Sequence, residues 1–267
     1  MRIGTQEFNT KENTYIMGIL NVTPDSFSDG GKYHGMDAAL KRAEEMKGDG
    51  AAIIDIGGES TRPGYMPVSE EEEMERILPV IEAIKARIEI PVSVDTYRSH
   101  VAEQAILAGA DMINDIWGLK ADPNMANVIA RYQKPCCLMH NRQDTVYGDF
   151  MQDILSDLRE TIQLAKQAGI SDDKIILDPG VGFAKTYEQN LMAIRQVERL
   201  KELGYPVLLG TSRKSVIGLT LNLPSEERLE GTLVTTVLAA QKGCGFVRVH
   251  DVKENYRAIK MTKSLCL

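Results

Sequence analysis

Polar and ionisable residues stand at the end of each of eight short apolar runs in the sequence. In chain order these ends hold Asn21, the segment 57–64, Asp95, Asn114, His140, Asp178, Lys214 and Arg248. Buried polar groups must find hydrogen-bond partners, so a purely structural protein gains nothing from eight such ends. The pattern predicts that the ends meet at one ligand-binding or catalytic site.

One set of these residues favours an anion. Lys214, Arg248 and His250 follow or belong to the last two runs, where barrel folds often hold phosphate. The segment 212–215 opens a helical pattern, and the first backbone N–H groups of a helix can receive negative charge. The sequence therefore predicts a ligand that carries phosphate.

A second set offers hydrogen-bond acceptors. Asp95 and Asp178 supply carboxylates and Asn114 an amide, which suits a planar, nitrogen-rich ring with several N–H donors. Asn21, together with anionic oxygens of a ligand, could hold Mg²⁺, a hard cation that prefers oxygen.

Two segments with several glycines, 26–31 and 57–64, are candidate mobile covers for this site.

The apolar runs predict the strands that must position these residues. They recur about every 33 residues, the spacing of one strand plus one crossover helix. Most are short, continuous and β-branched, as expected of strands covered on both faces. The runs are 15–20, 52–56, 91–94, 112–113, 136–139, 175–177, 206–209 and 246–249.

Eight linker-free units of this kind favour an α/β fold of the (β/α)8 TIM-barrel class over an open doubly wound sheet. We expect one domain over 1–267, in which residues 1–13 form a short N-terminal β-ribbon that covers the bottom of the barrel.

Helix start signals lie between the runs. Asp37 precedes a helical stretch that Gly48 closes. Ser69 and Glu72 form a capping box before a helix that reaches Ile88, so the acidic run 70–73 is expected to be a solvated first turn.

Two later helices carry cap signals as well. Asp122 is predicted to cap a helix that has Pro123 at its first position. Ser225 is predicted to cap another, whose positive N-terminal dipole suits Glu226 and Glu227.

Composition excludes several classes of protein. The 267 residues carry a net charge of -7, which argues against nucleic-acid binding. We find no apolar run of the roughly 18 residues that a membrane helix needs, and no secretory signal is expected at the start. The four cysteines form neither a CxxC pair nor a Cys/His cluster, so we expect core thiols and a cytoplasmic location.

Seven motifs, taken together, match a known family. In order they closely resemble the signatures of dihydropteroate synthases, and the resemblance covers about residues 14–262. The two most specific motifs are MGILNVTPDSFSDGG and DIGGESTRPG. The seven segments are 17–31, 55–64, 93–96, 113–115, 178–183, 211–215 and 248–252.

The sequence departs from the family pattern at two places. Val216 stands where the family often has an aromatic residue, and the segment 140–144 lacks the Gly-Thr-Pro of many members. Both departures concern loop or helix packing more than chemistry, so they bear on the shape of the substrate mouth.

The resemblance implies a reaction of folate biosynthesis. A dihydropterin with a CH₂ diphosphate group condenses with p-aminobenzoate to give dihydropteroate and pyrophosphate. The family requires Mg²⁺, which Asn21 would help to hold. The nucleophile is a neutral arylamine, so no strong general base is needed, and an SN1-like route through a delocalised pterin cation is expected. The family also suggests a homodimer, for which helices near 186–203 and 226–242 are candidate interfaces.

The family pattern, combined with the residue types, assigns the site. The residues expected to take part in catalysis are Asp25, Asp95, Lys214, Arg248 and His250. Those expected to bind the pterin diphosphate are Thr61, Asp95, Asn114, Asp178, Lys214, Arg248 and His250. Those expected to bind p-aminobenzoate are Phe27, Thr61, Pro63, Phe183 and Ser215.

Two other functions compete with this one. A pterin-dependent methyltransferase of the corrinoid type shares the barrel and the pterin pocket, but it has no use for a diphosphate site. A non-catalytic pterin-binding module would not need Asn21, Asp95 and Lys214 together. Trp117 could flank the pterin or simply pack, and Asp55 and Asp115 are expected to be structural partners in the polar network.

Overall fold

The strands form a barrel with a small ribbon at one end. The computed structural model describes residues 1–22, 31–59 and 68–266. The ribbon pairs β1 (Arg2–Ile3) with β2 (Gln6–Glu7) in antiparallel fashion. The eight parallel strands are β3 (Tyr15–Asn21), β4 (Ile53–Gly57), β5 (Val92–Asp95), β6 (Met112–Asp115), β7 (Cys136–Met139), β8 (Ile175–Asp178), β9 (Leu208–Leu209) and β10 (Phe246–Val249).

The eight strands lie in the order β8-β7-β6-β5-β4-β3-β10-β9. A parallel bridge between Leu177 and Val207 joins β8 to the start of β9 and so closes the ring. The (β/α)8 barrel and its N-terminal ribbon are therefore as the sequence predicts.

Helices lie on the outside of the barrel, between consecutive strands and after the last strand. They are α1 (Gly31–Gly48), α2 (Glu70–Arg87), α3 (Ser99–Leu107), α4 (Met125–Arg131), α5 (Phe150–Ala168), α6 (Tyr187–Arg195), α7 (Ser215–Leu221), α8 (Leu229–Gln241) and α9 (Val252–Cys266). Across the described residues, no helix combines the length and the apolar character needed to cross a bilayer.

Alternate residues of each strand point into the barrel, and their types change from bottom to top. At the bottom they form a closed apolar cluster of Ile3, Phe8, Met17, Ile53, Met112, Cys137, Ile176, Leu208 and Phe246. Ile3 lies in β1 and Phe8 directly follows β2. The centroid of the Phe8 ring lies 5.7 Å from that of Phe246. The ribbon thus covers the barrel's bottom, as expected.

The next inward position of a strand lies two residues further on, nearer the C-terminal end. In four strands this step leads from an apolar residue to a polar one: Ile53 to Asp55, Met112 to Asn114, Ile176 to Asp178, and Phe246 to Arg248. The strand period of two therefore brings these four polar residues into the upper part of one interior.

Several helix boundaries differ from the sequence-based expectation. Helix α1 begins at Gly31, well before Asp37. Helix α4 begins at Met125, because Asp122 instead accepts from the backbone N–H groups of Ser99 and Asn124, at 2.7 and 2.9 Å. Ser225 opens a short 3₁₀ turn, and α8 starts only at Leu229.

The capping box predicted before α2 forms in part. The hydroxyl of Ser69 accepts from the backbone N–H of Glu72 at 3.2 Å, while the carboxylate of Glu72 binds Arg76. The acidic run is not wholly solvated, because Glu73 is buried and forms an ion pair with Arg98. Burial raises the pKa of Glu73, although Arg98 opposes the shift.

Cys136, Cys137 and Cys244 are buried free thiols, as the sequence predicts.

Candidate active site

A cavity of about 280 Å³ opens at the C-terminal end of the strands. Most of the residues that the sequence singles out line it or lie directly beneath it. Its walls include Asn21, Glu59, Asp95, Phe183, Gly210, Ser212, Arg213, Lys214, Ser215, Arg228, Arg248 and His250.

The polar network below this cavity centres on Arg248. Its Nε donates to Oδ2 of Asp55 at 2.6 Å, and its Nη2 donates to Oδ2 of Asp95 at 2.7 Å. The side-chain amide of Asn114 also donates to Oδ2 of Asp55, at 3.2 Å. Asp55 lies on β4, and its two partners lie on strands two places away on either side. The network therefore ties strands across the barrel interior.

Burial dominates the electrostatics of this network. It raises the pKa of Asp95 to about 7, against the opposing charge of Arg248. Burial alone would lower the pKa of Arg248, but the carboxylates of Asp55 and Asp95 outweigh it and keep the pKa above its ordinary value. Arg248 thus stays charged, while Asp95 changes between its protonated and ionised forms near neutral pH.

Asp178 stands at the end of β8 with its two oxygens in different surroundings. Oδ1 accepts from the backbone N–H of Gly180 at 2.6 Å. Oδ2 faces Gly210, where an added Cβ would lie 3.6 Å from it, so the glycine keeps this approach open. Burial raises the pKa of Asp178, with Lys214 as the main opposing charge. One carboxylate oxygen therefore remains for a ligand's N–H groups.

Lys214 reaches into the cavity from the segment before α7. Its Nζ donates to the carbonyl oxygen of Val181 at 2.5 Å and lies 5.0 Å from the centroid of the Phe183 ring. Burial lowers the pKa of Lys214 to about 8, although Asp178 opposes the change. An added Cβ on Gly182 would come within 3.2 Å of the lysine stem, so this glycine leaves room for the side chain.

His250 and Ser212 form the adjoining corner. Nδ1 of His250 lies 3.0 Å from the hydroxyl oxygen of Ser212, which also accepts from the His250 backbone N–H at 3.2 Å. Next to them, Arg213 has a φ of 57° and its guanidinium binds Asp251 through two nitrogens. This ion pair fixes the backbone between Ser212 and Lys214.

Asn21 is the last residue of β3 and lines the cavity. In the part of the chain that the structure describes, no group of three or more His, Cys, Asp or Glu side chains is placed to hold a metal ion. A protein cage for a cation is therefore absent from the described residues. The amide oxygen of Asn21 is the kind of donor that Mg²⁺ accepts, since this ion often binds through one or two protein groups plus phosphate oxygens of a ligand.

The structure brings together most of the residues predicted from the sequence. Asn21, Asp95, Phe183, Lys214, Ser215, Arg248 and His250 line the cavity, while Asn114 and Asp178 are buried near the C-terminal ends of β6 and β8. Asp25, Phe27, Thr61 and Pro63 lie outside the described residues.

Asp55 forms an ion pair with Arg248, as expected of a structural partner in the polar network. It is an ionisable residue inside an apolar run, two positions after the inward-facing Ile53, so its inward position is readable from the sequence. Lys185 carries no such signal, yet it lies half-buried beside His140.

Known proteins are similar to this chain in sequence and in architecture. The pattern of the pterin binding enzyme family matches residues 17–250. A dihydropteroate synthase from Clostridium beijerinckii is 65% identical over 263 residues, which cover 98% of each chain.

Two solved structures extend the comparison. A dihydropteroate synthase from Clostridium difficile, crystallised in the presence of pteroic acid, superposes with a TM-score of 0.95 at 51% identity and covers 97% of this chain and 99% of its own. The enzyme from Xanthomonas albilineans in complex with 7,8-dihydropteroate gives 0.88 at 39% identity, covering 96% and 94%. The chain therefore belongs to the dihydropteroate synthases, a family of pterin-binding transferases.

Proposed function

We propose that this chain condenses (7,8-dihydropterin-6-yl)methyl diphosphate with p-aminobenzoate to give 7,8-dihydropteroate and pyrophosphate. One observation carries the assignment of residues to steps. A single cavity is lined by Asp95 and Lys214 for the pterin, by Arg248 and His250 for the diphosphate, and by Phe183 and Ser215 for the arylamine.

Asp178 is the main recognition group for the pterin ring. Its free oxygen accepts from the 2-amino and N3 hydrogens, while Asn114 pairs with another edge of the ring. Lys214 donates to ring acceptors once its ammonium turns from the Val181 carbonyl. A ring without these donors would leave the buried carboxylate of Asp178 without hydrogen bonds from the ligand, which costs binding free energy. The site therefore discriminates against such rings.

The diphosphate lies on the side of Arg248, His250 and Ser212. Nε and Nη2 of Arg248 are engaged by carboxylates, so Nη1 is the remaining nitrogen for phosphate oxygens. The hydrogen bond to Ser212 orients the imidazole of His250. Positive charge placed here stabilises the charge that develops on the leaving group.

Bond breaking precedes bond making on this route. The bond between the methylene carbon and the diphosphate oxygen breaks, and both electrons leave with the diphosphate. The pterin ring delocalises the resulting cation, which Asp95 and Asp178 stabilise as carboxylates. The arylamine nitrogen then forms the new C–N bond and releases one proton to solvent. Asp25 and Phe27, which lie outside the described residues, are proposed to shield the cation from water.

The arylamine occupies the outer part of the cavity. Phe183 flanks its ring together with Thr61 and Pro63, two residues outside the described part of the chain. The hydroxyl of Ser215, at the start of α7, receives the carboxylate. Lys214 lies between the two substrates, 5.0 Å from the Phe183 ring centroid, and so contacts both halves of the product.

Mg²⁺ is proposed to enter with the diphosphate. Asn21 supplies an amide oxygen on the cavity wall, and this donor suits a hard cation that keeps several water ligands. When bound, the ion adds positive charge at the leaving group.

Pyrophosphate release tests this function. Purified protein is incubated with the pterin diphosphate, and pyrophosphate is measured with and without p-aminobenzoate and Mg²⁺. We expect continued release over many turnovers only when all three are present, and competitive inhibition of that release by a sulfonamide. Binding of the pterin diphosphate without any release would favour a non-catalytic module. Transfer of a methyl group from a methylated pterin to a corrinoid would favour the methyltransferase.

We also propose that the chain acts in the cytoplasm as a homodimer. Helices α7, α8 and α9 are adjacent and expose large apolar side chains, among them Leu219, Val234, Met261 and Leu265 at 57 to 72% of their surface. A second copy that covers this face would bury them. Light scattering on Val234→Glu tests the proposal: the variant should shift towards monomer, whereas an unchanged mass would contradict this interface.

A further inference from the structure

The segment from Pro179 to Lys185, between β8 and α6, has an unusual backbone. Three alternate residues have positive φ: Gly180 at 71°, Gly182 at 88° and Ala184 at 44°. For a residue with a side chain, such as Ala184, this conformation costs about 1 kcal/mol or more. A segment of this shape persists only where its surroundings hold it.

Five side chains hold the backbone of this segment. Tyr147, Lys185 and Lys214 donate to its carbonyl oxygens, and Asp178 accepts from the N–H of Gly180. Asn190 accepts from the N–H of Gly182 and donates to the carbonyl oxygen of Lys185. Lys214 belongs to the substrate site, whereas Lys185 has no part in the proposed chemistry.

Lys185 contacts the backbone of Phe183, a residue that lines the cavity. Its Nζ donates to the carbonyl oxygen of Phe183 at 2.9 Å and so fixes the peptide that carries the ring. The position of an apolar wall of the cavity therefore depends on the half-buried amino group of Lys185.

Lys185 is itself anchored by a chain of polar groups. Its Nζ lies 3.0 Å from Nδ1 of His140, and Nε2 of His140 lies 2.9 Å from Oδ2 of Asp157. Because the Asp157 carboxylate only accepts, the ring proton of His140 is on Nε2, and Nδ1 accepts from the Lys185 amino group. Burial lowers the pKa of His140 to about 4, consistent with a neutral ring.

Arg142 supports the far end of this chain. Its Nε and Nη2 donate to the two oxygens of Asp157 at 2.6 and 3.1 Å. Its guanidinium also lies 4.4 Å from the ring centroid of Tyr147, whose hydroxyl donates to Ala184. His140 and Arg142 belong to the segment 140–144, where the sequence departs from the pattern of many relatives.

We propose that Lys185, anchored through His140 and Asp157, is a positioning residue that holds Phe183 against the arylamine and thereby sets the affinity for p-aminobenzoate. The inference rests on the proposed function, because it names the substrate that Phe183 contacts. His140 and Arg142, both in the segment 140–144, supply part of this anchor.

Lys185→Met tests the proposal, because it keeps the length of the stem and removes the ammonium. In the free protein, we expect backbone hydrogen exchange in a peptide over 179–185 to rise by about tenfold. In steady-state kinetics, we expect the KM for p-aminobenzoate to rise by about tenfold, with kcat and the KM for pterin diphosphate within about twofold of the parent.

Two further variants sharpen the test. Lys174→Met is the matched control, because Lys174 also donates to a backbone carbonyl, that of Gln133, but lies before β8 at the opposite end of the barrel. It should change neither readout. His140→Asn keeps an acceptor near the position of Nδ1 but loses the bond to Asp157, so a smaller change in the same direction is expected. It carries the test if Lys185→Met does not fold.

Unchanged exchange in 179–185, or an equal rise in both KM values, would overturn the proposal. Failure of the proposed function is a separate result, because it would appear as absence of pyrophosphate release in the parent protein. The exchange measurement would still decide whether Lys185 holds the segment.

Discussion

The Nε atom of Arg248 lies 2.6 Å from Oδ2 of Asp55, although 193 residues separate them in the sequence. The same oxygen accepts from Asn114, so one buried carboxylate links three strands of the barrel. The site is therefore part of what holds the upper barrel together.

We expect Asp55→Asn to lower the free energy of unfolding by about 1–3 kcal/mol, because it leaves the buried guanidinium with only one charged partner. Urea unfolding followed by circular dichroism measures the change. Asp172→Asn is the control, since Asp172 pairs with Lys166 at the exposed surface, and its loss should stay below about 1 kcal/mol. Equal losses in the two variants would contradict the tie across the barrel.

The pH profile of kcat/KM should be bell-shaped, with its maximum between about 7 and 8. Burial raises the pKa of Asp95 to about 7, and the carboxylate must be ionised to stabilise a cation, so activity is lost as the pH falls through that value. Burial lowers the pKa of Lys214 to about 8, and its ammonium must stay protonated to donate, so activity is also lost above that value.

Variants assign the two limbs of this profile. Asp95→Asn should abolish the acid limb, and Lys214→Arg should move the alkaline limb upwards, both at reduced rate. An acid limb that persists in Asp95→Asn would belong to Asp178 or to the substrate diphosphate, and it would refute the assignment to Asp95.

Asp178→Asn should weaken binding of the pterin diphosphate by about 2–4 kcal/mol in titration calorimetry, because an amide nitrogen would face the ring's N–H donors. The affinity for p-aminobenzoate should change far less. Retained pterin affinity would refute the role of Asp178.

Gly180→Ala should be among the most disruptive single-methyl additions in the chain. The added Cβ would overlap the carbonyl oxygen of His140, and the residue would keep a φ of 71°. We expect more than about 2 kcal/mol of destabilisation, measured by thermal or urea unfolding.

Gly204→Ala is the matched control for this substitution. Gly204 has a φ of 88°, but its Cβ would meet nothing within 4 Å. It should therefore cost about 1 kcal/mol, for backbone strain alone. A cost for Gly180→Ala no larger than this would show that the His140 carbonyl yields easily.

The barrel could be predicted from the sequence because its strands are apolar runs of the right length and spacing. The helix starts were harder to predict, since cap residues such as Asp122 and Ser225 also serve turns and neighbouring helices. Asp122 caps α3 rather than its own helix, a choice that depends on contacts between elements.

The candidate site divides in the same way. The types and positions of Asp178 and Lys214 were readable as strand-end residues, and the structure brings them to one cavity and its base. The role of Arg248 was only partly predictable from the sequence. Its two carboxylate partners, Asp55 and Asp95, come from β4 and β5, which do not pair with β10 and which only the closed barrel brings near it. Lys185 was missed, since a lone lysine after a glycine-rich turn is usually a solvated one.

The ribbon at the bottom of the barrel gives the two ends of the molecule different tasks. Ile3 and Phe8 close the lower interior with apolar side chains, whereas the upper interior is charged. We therefore expect substitutions in the lower layer to change the packing and stability of the barrel more than its binding of ligands.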